Sequence, residues 1–408
     1  MDRTLVTHID RASWPKAPLL PRFPRAFIGV RSLTLSIPAV LLKIGFLTTP
    51  TSSTGVSLSE FWAWVRYLAA VTPDADLRLT SAFANLDSHQ KTILSDDFGM
   101  GVPMLWLTSA LDLRMICDGR YFLQRFAAQA GASVRRTAKR GPNKTPDFVA
   151  RDGRGVWHVI ECKGTQSGSG YRAVQIGEPG PPRTGGIAQK HAISFPANHS
   201  GQRLVCGLAL GVEDGGERTS LTIVDPEMED PIVISSDQLL FATDAAERAT
   251  VARSLRLAGF DRTAETTAAP LGRFPWSRRD SRPRFDQARQ TIVEEKLAAA
   301  KDELSRLDDR RSWQEDGARF RGRELQFDLP RPIEIEGKRV VRAVVRQGVN
   351  EDVLGELRGR AVVDQPLPEE NTEWANTIGT TVVDTDANFA RLRIGRLFTS
   401  ELLLKADS

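Results

Sequence analysis

Three charged residues, Asp147, Glu161 and Lys163, lie in the stretch "TPDFVARDGRGVWHVIECKG", whose other residues largely suit buried strands. Residues two apart along a strand share a face. Glu161 and Lys163 therefore project together, while Ile160 and Cys162 point to the opposite side as core. Asp147 opens the partner strand of the same hairpin and can approach the same spot. Two carboxylates converging on one point repel each other unless a cation lies between them. Hard oxygen ligands of this kind suit Mg²⁺ or Mn²⁺, which use few protein carboxylates and keep waters for substrate phosphate oxygens. A lysine beside the ion can polarise an attacking water or stabilise a pentavalent phosphoryl group. Together these residue types supply the minimum set for phosphodiester hydrolysis.

The elements that must position them set a register condition. A two-residue turn at Asp152-Gly153 would pair residue 151 with 154 and set Asp147 opposite His158. Asp147 would then stand three residues, about 10 Å at strand rise, from level with Glu161. A loop widened to 152–156, or a bulge, brings the two level, and "RDGRG" is suited to the wider loop. Strands are expected at 146–151 and 155–162. Before them, 111–130 carries apolar residues at near-helical spacing, followed by a strand at "SVRRT" and a basic linker, "AKRGPNK". After them, 164–186 is rich in Gly, Pro and Ser and reads as a long loop. "GGIAQKHAISF" then starts a helix, and "RLVCGLALG" is a fully buried strand. This order gives an α/β core with a mixed sheet.

The same residues carry a family resemblance. "TPDF" followed by "VIECKG" resembles the signature of the PD-(D/E)xK nuclease superfamily, the restriction-endonuclease-like fold, over roughly residues 110–212. Pro146-Asp147 matches its first half, and Glu161-Cys162-Lys163 its second. The resemblance implies a Mg²⁺ or Mn²⁺ ion held by Asp147, Glu161 and the backbone carbonyl of Cys162, with Lys163 assisting the hydrolytic water. It also implies a mixed sheet flanked by helices. Many members carry a Gln or Lys in the helix after the third strand, which here is Gln189 or Lys190. An acidic residue on the first helix is a further common element, with Asp112 and Asp118 as its candidates.

Around this core the chain divides into an N-terminal accessory region (1–108), the nuclease-like domain (109–260) and a C-terminal part (261–408). The first is expected to be mainly helical after a β-like or irregular start, with a capping box from Ser57 to Glu60 and helices near 81–95 and 101–110. Past residue 212 come a strand at "TSLTIVD", a helix over 236–259 and a linker over 260–285. A charged helix over 286–311 introduces a β-rich end with a hairpin in "RPIEIEGKRVVRAVVRQG". No internal repeat of fixed period is present.

The 408 residues are 41% hydrophobic and 26% charged, as in a folded globular protein. A net charge of +4 is compatible with nucleic acid without demanding it, so local clusters decide. Arg135, Arg136, Lys139, Arg140 and Lys144, immediately before the metal ligands, would neutralise phosphates together with Lys190. DNA is the expected partner, RNA the alternative, and a homodimer or protein partner is left open. Three separated cysteines offer neither a disulfide framework nor a CxxC pair, which favours a reducing cytoplasm. "FIGVRSLTLSIPAVLLKIGFL" is too interrupted by Arg31, Pro38 and Lys43 for a membrane span. "GTQSGSG" lacks the Gly-Lys-Ser/Thr ending of a P-loop, and Asp97-Phe98-Gly99 has no companion kinase motif. A Cys162–His158 nucleophile is set aside because both belong on the buried face. The expectation is a metal-dependent nuclease, by analogy one of restriction or anti-phage defence. The rival is a catalytically inactive nuclease-like fold that binds nucleic acid or protein.

Overall fold

The computed structural model describes residues 1–15, 23–52, 67–130, 145–178, 184–189, 193–225, 232–268, 283–335, 337–359 and 372–406. Its larger sheet is built from β1 (Asp2–Ile9), β2 (Gly29–Ser36), β4 (Leu113–Asp118), β5 (Phe148–Asp152), β6 (Trp157–Thr165), β8 (Ser200–Ala209) and β10 (Ser220–Val224). Their order is β2-β1-β10-β8-β6-β5-β4. The sheet is mixed: β6 runs parallel to β8 and β1 parallel to β10, while the remaining neighbours are antiparallel. Strands on both sides of residue 108 thus share one sheet. The two-residue strands β3 (Arg78–Leu79) with β9 (Gly211–Val212), and β7 (Ile193–Ser194) with β11 (Ile232–Val233), form small ribbons beside it.

Helix α1 (Ile37–Thr48) is buried at every position from Ile37 to Leu47. A helix apolar all round belongs inside a protein, and α1 packs between the helix layer and the C-terminal sheet. The short α2 (Ser81–Ala84) precedes α3 (Ser88–Ala110), whose first turn is capped by the Asp87 carboxylate accepting from His89 N and Gln90 N. The helices expected near 81–95 and 101–110 are instead the short α2 and a continuous α3 that runs through Gly99, Gly101 and Pro103. Those glycines are sites of close approach: a Cβ on Gly99 would lie 2.6 Å from Gly164 N, and one on Gly101 would overlap the Ile44 side chain.

Three other segments depart from the sequence expectation. The helical pattern over 111–130 splits into strand β4 and helix α4 (Gly119–Ala130), because residues 113–118 pair with β5 and tertiary pairing overrides the local period. The loop expected over 164–186 contains helix α5 (Gly168–Ile176), followed by α6 (Gly185–Gln189). Gly168 enters α5 at φ +85°, and Arg172 and Ile176, four apart, face the sheet beside Gly207. The linker expected over 260–285 begins with a helix, α8 (Asp261–Ala268), docked on α7 (Leu239–Leu257). The charged helix is α9 (Pro283–Ser305).

The C-terminal sheet contains β12 (Arg311–Glu315), β13 (Ala318–Ile335), β14 (Lys338–Asn350), β15 (Thr381–Asp386), β16 (Phe389–Ile394) and β17 (Phe398–Ala406), in the order β12-β13-β14-β17-β16-β15. The expected hairpin closes at Ile335 and Lys338. Glu324, Arg346, Glu401 and Arg391 stand in register across β13, β14, β17 and β16, so opposite charges alternate along one row. One buried apolar cluster runs through both sheets, and the Thr381 hydroxyl donates to Leu113 O at 3.4 Å. Among the described residues, no helix is long and apolar enough to cross a membrane.

Candidate functional site

The β5–β6 hairpin fixes the register on which the site depends. Phe148 pairs with Ile160, Ala150 with His158 and Arg151 with Trp157. Asp152 N donates to Val156 O at 2.9 Å, while the Asp152 carboxylate accepts from Arg154 N and Val156 N. The loop is therefore Gly153-Arg154-Gly155, with Gly155 at φ +80°. This is the wider turn, and the ladder carried on by one pair sets Asp147 level with Glu161.

Carried on by two, it sets Pro146 level with Cys162. Proline has no N–H, so β5 cannot donate to the Cys162 carbonyl there. The Cys162 N–H instead donates to Asp147 Oδ2 at 2.8 Å, and Asp147 N donates to Glu161 Oε2 at 3.0 Å. Lys163 Nζ lies 2.5 Å from Glu161 Oε1. The sequence-predicted residues Asp147, Glu161, Cys162 and Lys163 are thus brought together at the end of the hairpin.

Their electrostatics follow from burial and crowding. Glu161 is fully buried, and a Cβ on Gly186 at the start of α6 would stand 3.2 Å from its Cγ. Burial first, then repulsion from Asp147, pushes the Glu161 carboxyl up to about 8 against the pull of Lys163. The Asp147 carboxyl is also raised, by burial above all, with the charges of Asp96 and Asp118 adding to it. Burial lowers the Lys163 ammonium, but Glu161 and Asp147 outweigh it and the net shift is upward. Two raised carboxyls sharing one ammonium form a site short of positive charge, which is the electrostatic condition for taking up a divalent cation. Two carboxylates and one carbonyl match the oxygen donors that Mg²⁺ or Mn²⁺ accepts, with water or phosphate at the other positions. No group of three or more Asp, Glu, His or Cys is close enough to hold a metal among the described residues, so these donors would act with water or substrate.

Two further acids border the site. Asp96 comes from α3 and feels the charge of Lys163, while partial desolvation raises its carboxyl. Its position follows from the glycine contact: α3 crosses β6 where Gly99 meets Gly164, one turn beyond Ser95 and Asp96. The readable signal was the glycine spacing in "SDDFGMG" and not the Asp-Phe-Gly within it, since Phe98 is core and the Asp97 carboxylate accepts from the Tyr67 hydroxyl. Asp118, the last residue of β4, pairs with Phe148, and Gly119 N donates to Asp147 O at 2.9 Å. The Asp118 carboxylate is itself held by the buried Arg253 at 2.6 Å and by the Thr51 hydroxyl at 2.6 Å. Nothing in the sequence pointed to Arg253, 135 residues away. Asp112 lies at the opposite end of β4, beside Arg114 and the Gly153 turn.

Gln189 ends α6, but its side chain, Lys190 and the cluster Arg135, Arg136, Lys139, Arg140 and Lys144 lie outside the described residues. His158 and Cys162, four residues apart on one strand, are about 13 Å apart. His158 Nδ1 accepts from Gln202 N at 3.1 Å, and Cys162 lies opposite Cys206 on β8 with its thiol raised by burial. They make no nucleophile–base pair. No family model, curated protein or solved structure matches this chain, so the functional reading rests on the site alone.

Proposed function

We propose that this chain is a divalent-metal-dependent nuclease, with DNA as its first substrate class and RNA as the alternative. The observation that carries the reading is the hairpin register, which sets Asp147 level with Glu161 and beside Lys163. Asp147, Glu161 and the Cys162 carbonyl would hold a Mg²⁺ or Mn²⁺ ion, whose chemistry there is Lewis-acid polarisation of a phosphate oxygen and of water. Lys163 is one-quarter exposed on its side chain, whereas its partner Glu161 is fully buried. On leaving Glu161 it can orient the attacking water and offset charge developing on the phosphate. Asp96 at the rim can accept a proton or orient a water from the α3 side. The resemblance to PD-(D/E)xK nucleases agrees with these roles, and a place in restriction or anti-phage defence remains an analogy.

The test uses the purified full chain with plasmid, linear and single-stranded DNA and with RNA, in Mg²⁺, Mn²⁺ or EDTA. Cleavage is expected with metal only, and about 100-fold slower or worse in Asp147→Ala and Lys163→Ala. Binding without cleavage, unchanged in both variants, would instead favour the rival reading of an inactive nuclease-like fold.

A further inference from the structure

Most large apolar side chains among the described residues are buried. Ile93, Tyr171 and Val174 are three of eight exceptions among them, at 39%, 52% and 69% exposure, and these three lie on α3 and α5, the helices that pack on β6. The other two tyrosines, Tyr67 and Tyr121, are buried.

The orientation of α5 follows from its contacts. Arg172 donates to the Ser220 hydroxyl at 2.6 Å, and Ile176 is buried, so these face the sheet. Gln175 donates to Gly164 O at 3.3 Å. Thr165 O accepts from Leu210 N on the β8 side, and carbonyls alternate along a strand, so Gly164 O points to the other edge. That edge is the β5 side of β6, where Asp147 N donates to Glu161 Oε2 and Cys162 N to Asp147 Oδ2. The Gln175 flank of α5 therefore lies toward the β5 side of β6, one residue along the strand from Lys163. Tyr171 is four residues before Gln175 and lies on the same flank, about 6 Å along the helix axis. On α3, Ile93 is three residues before Asp96 and shares its flank.

A nucleic-acid strand lying over the metal ligands would meet cationic and acidic groups at its phosphates, but these give its bases nothing to stack on. A solvent-exposed phenol ring on α5 does. In a duplex both faces of each base are already covered by neighbours, so only an unpaired or terminal base can offer one.

We propose that Tyr171, backed by Val174, is a stacking shelf for an unpaired base next to the scissile phosphate, so the preferred substrate is single-stranded or frayed nucleic acid. This rests on the nuclease reading above and narrows its substrate class.

The test measures binding of the full chain in EDTA to DNA and RNA oligonucleotides carrying 2-aminopurine, each single-stranded and as blunt duplex. Single strands should bind more tightly than duplex with quenched 2-aminopurine fluorescence, and Tyr171→Ala should weaken single-strand binding about tenfold. Tyr171→Phe and Tyr171→Trp should retain binding and quenching, since a ring is what is required. Equal single-strand affinity in wild type and Tyr171→Ala would overturn the shelf, as would an equal loss on duplex. Loss of self-association in Tyr171→Ala without loss of oligonucleotide affinity would also overturn it, assigning the patch to a second copy of the chain. Ring-dependent single-strand binding without metal-dependent cleavage would leave the shelf standing and remove the nuclease reading. Metal-dependent cleavage of single strands at the wild-type rate in Tyr171→Ala would do the reverse.

Discussion

Glu161→Gln is expected to stabilise the metal-free protein at pH 8 while abolishing its activity. Glu161 is fully buried, and its carboxyl is raised from 4.5 to about 8 by burial and by Asp147. Between those two values the folded protein holds a proton that the unfolded chain has released. Stability of the metal-free protein therefore falls as pH rises from about 4.5 to about 8, then levels. Glutamine keeps the shape without that charge. It forgoes the ion pair with Lys163, which offsets part of the gain, so the net advantage near pH 8 is on the order of 2 kcal/mol. Calorimetric melting in EDTA at pH 5, 6.5 and 8 should show the variant drawing ahead of the wild type as pH rises. A gap that stays flat would mean that Glu161 is not held protonated by the fold. Saturating Mn²⁺ should narrow the gap, because the ion supplies the charge that the wild-type site lacks.

Gly164→Ala should be the most disruptive small substitution near the site. Its Cβ would overlap the Ser95 carbonyl and lie 3.0 Å from Gly99 Cα, both backbone atoms of α3 that no rotamer change can move aside. The helix must shift away from β6, carrying Asp96 with it. Overpacking of this kind costs about 3 kcal/mol, and the displaced helix should also weaken cleavage. Gly170→Ala is the matched control: nothing lies within 4 Å of its Cβ, and alanine favours a helix interior by roughly 0.5–1 kcal/mol. Urea unfolding of both variants should show loss for the first and none for the second. Wild-type stability in Gly164→Ala would mean that α3 is not seated on that glycine.

How far the sequence could be read depends on the range of the interaction concerned. The pair β5 and β6 was legible because its strand signals and its turn lie within 20 residues. The turn itself needed one further step, since Asp152-Gly153 resembles a two-residue hairpin loop until its carboxylate is seen binding Arg154 N and Val156 N. Strand β4 was hidden because its apolar residues run directly into those of α4 at Gly119, so the two elements read as one helical spacing. Helix α5 was hidden by glycines and serines that local propensity assigns to a loop. Asp96 and Arg253 reach the site through a Gly–Gly crossing and a 135-residue separation, neither of which leaves a local pattern. The seating of β1 and β2 at the far edge of the sheet is equally non-local.

The most direct test of the central claim is a Mn²⁺ titration of the full chain, followed by electron paramagnetic resonance of the free ion. A site made by Asp147 and Glu161 predicts saturable uptake by the wild type, tightening as pH rises toward 8 and lost in Asp147→Asn and Glu161→Gln. Uptake that is absent from the wild type, or unchanged in either variant, would contradict it.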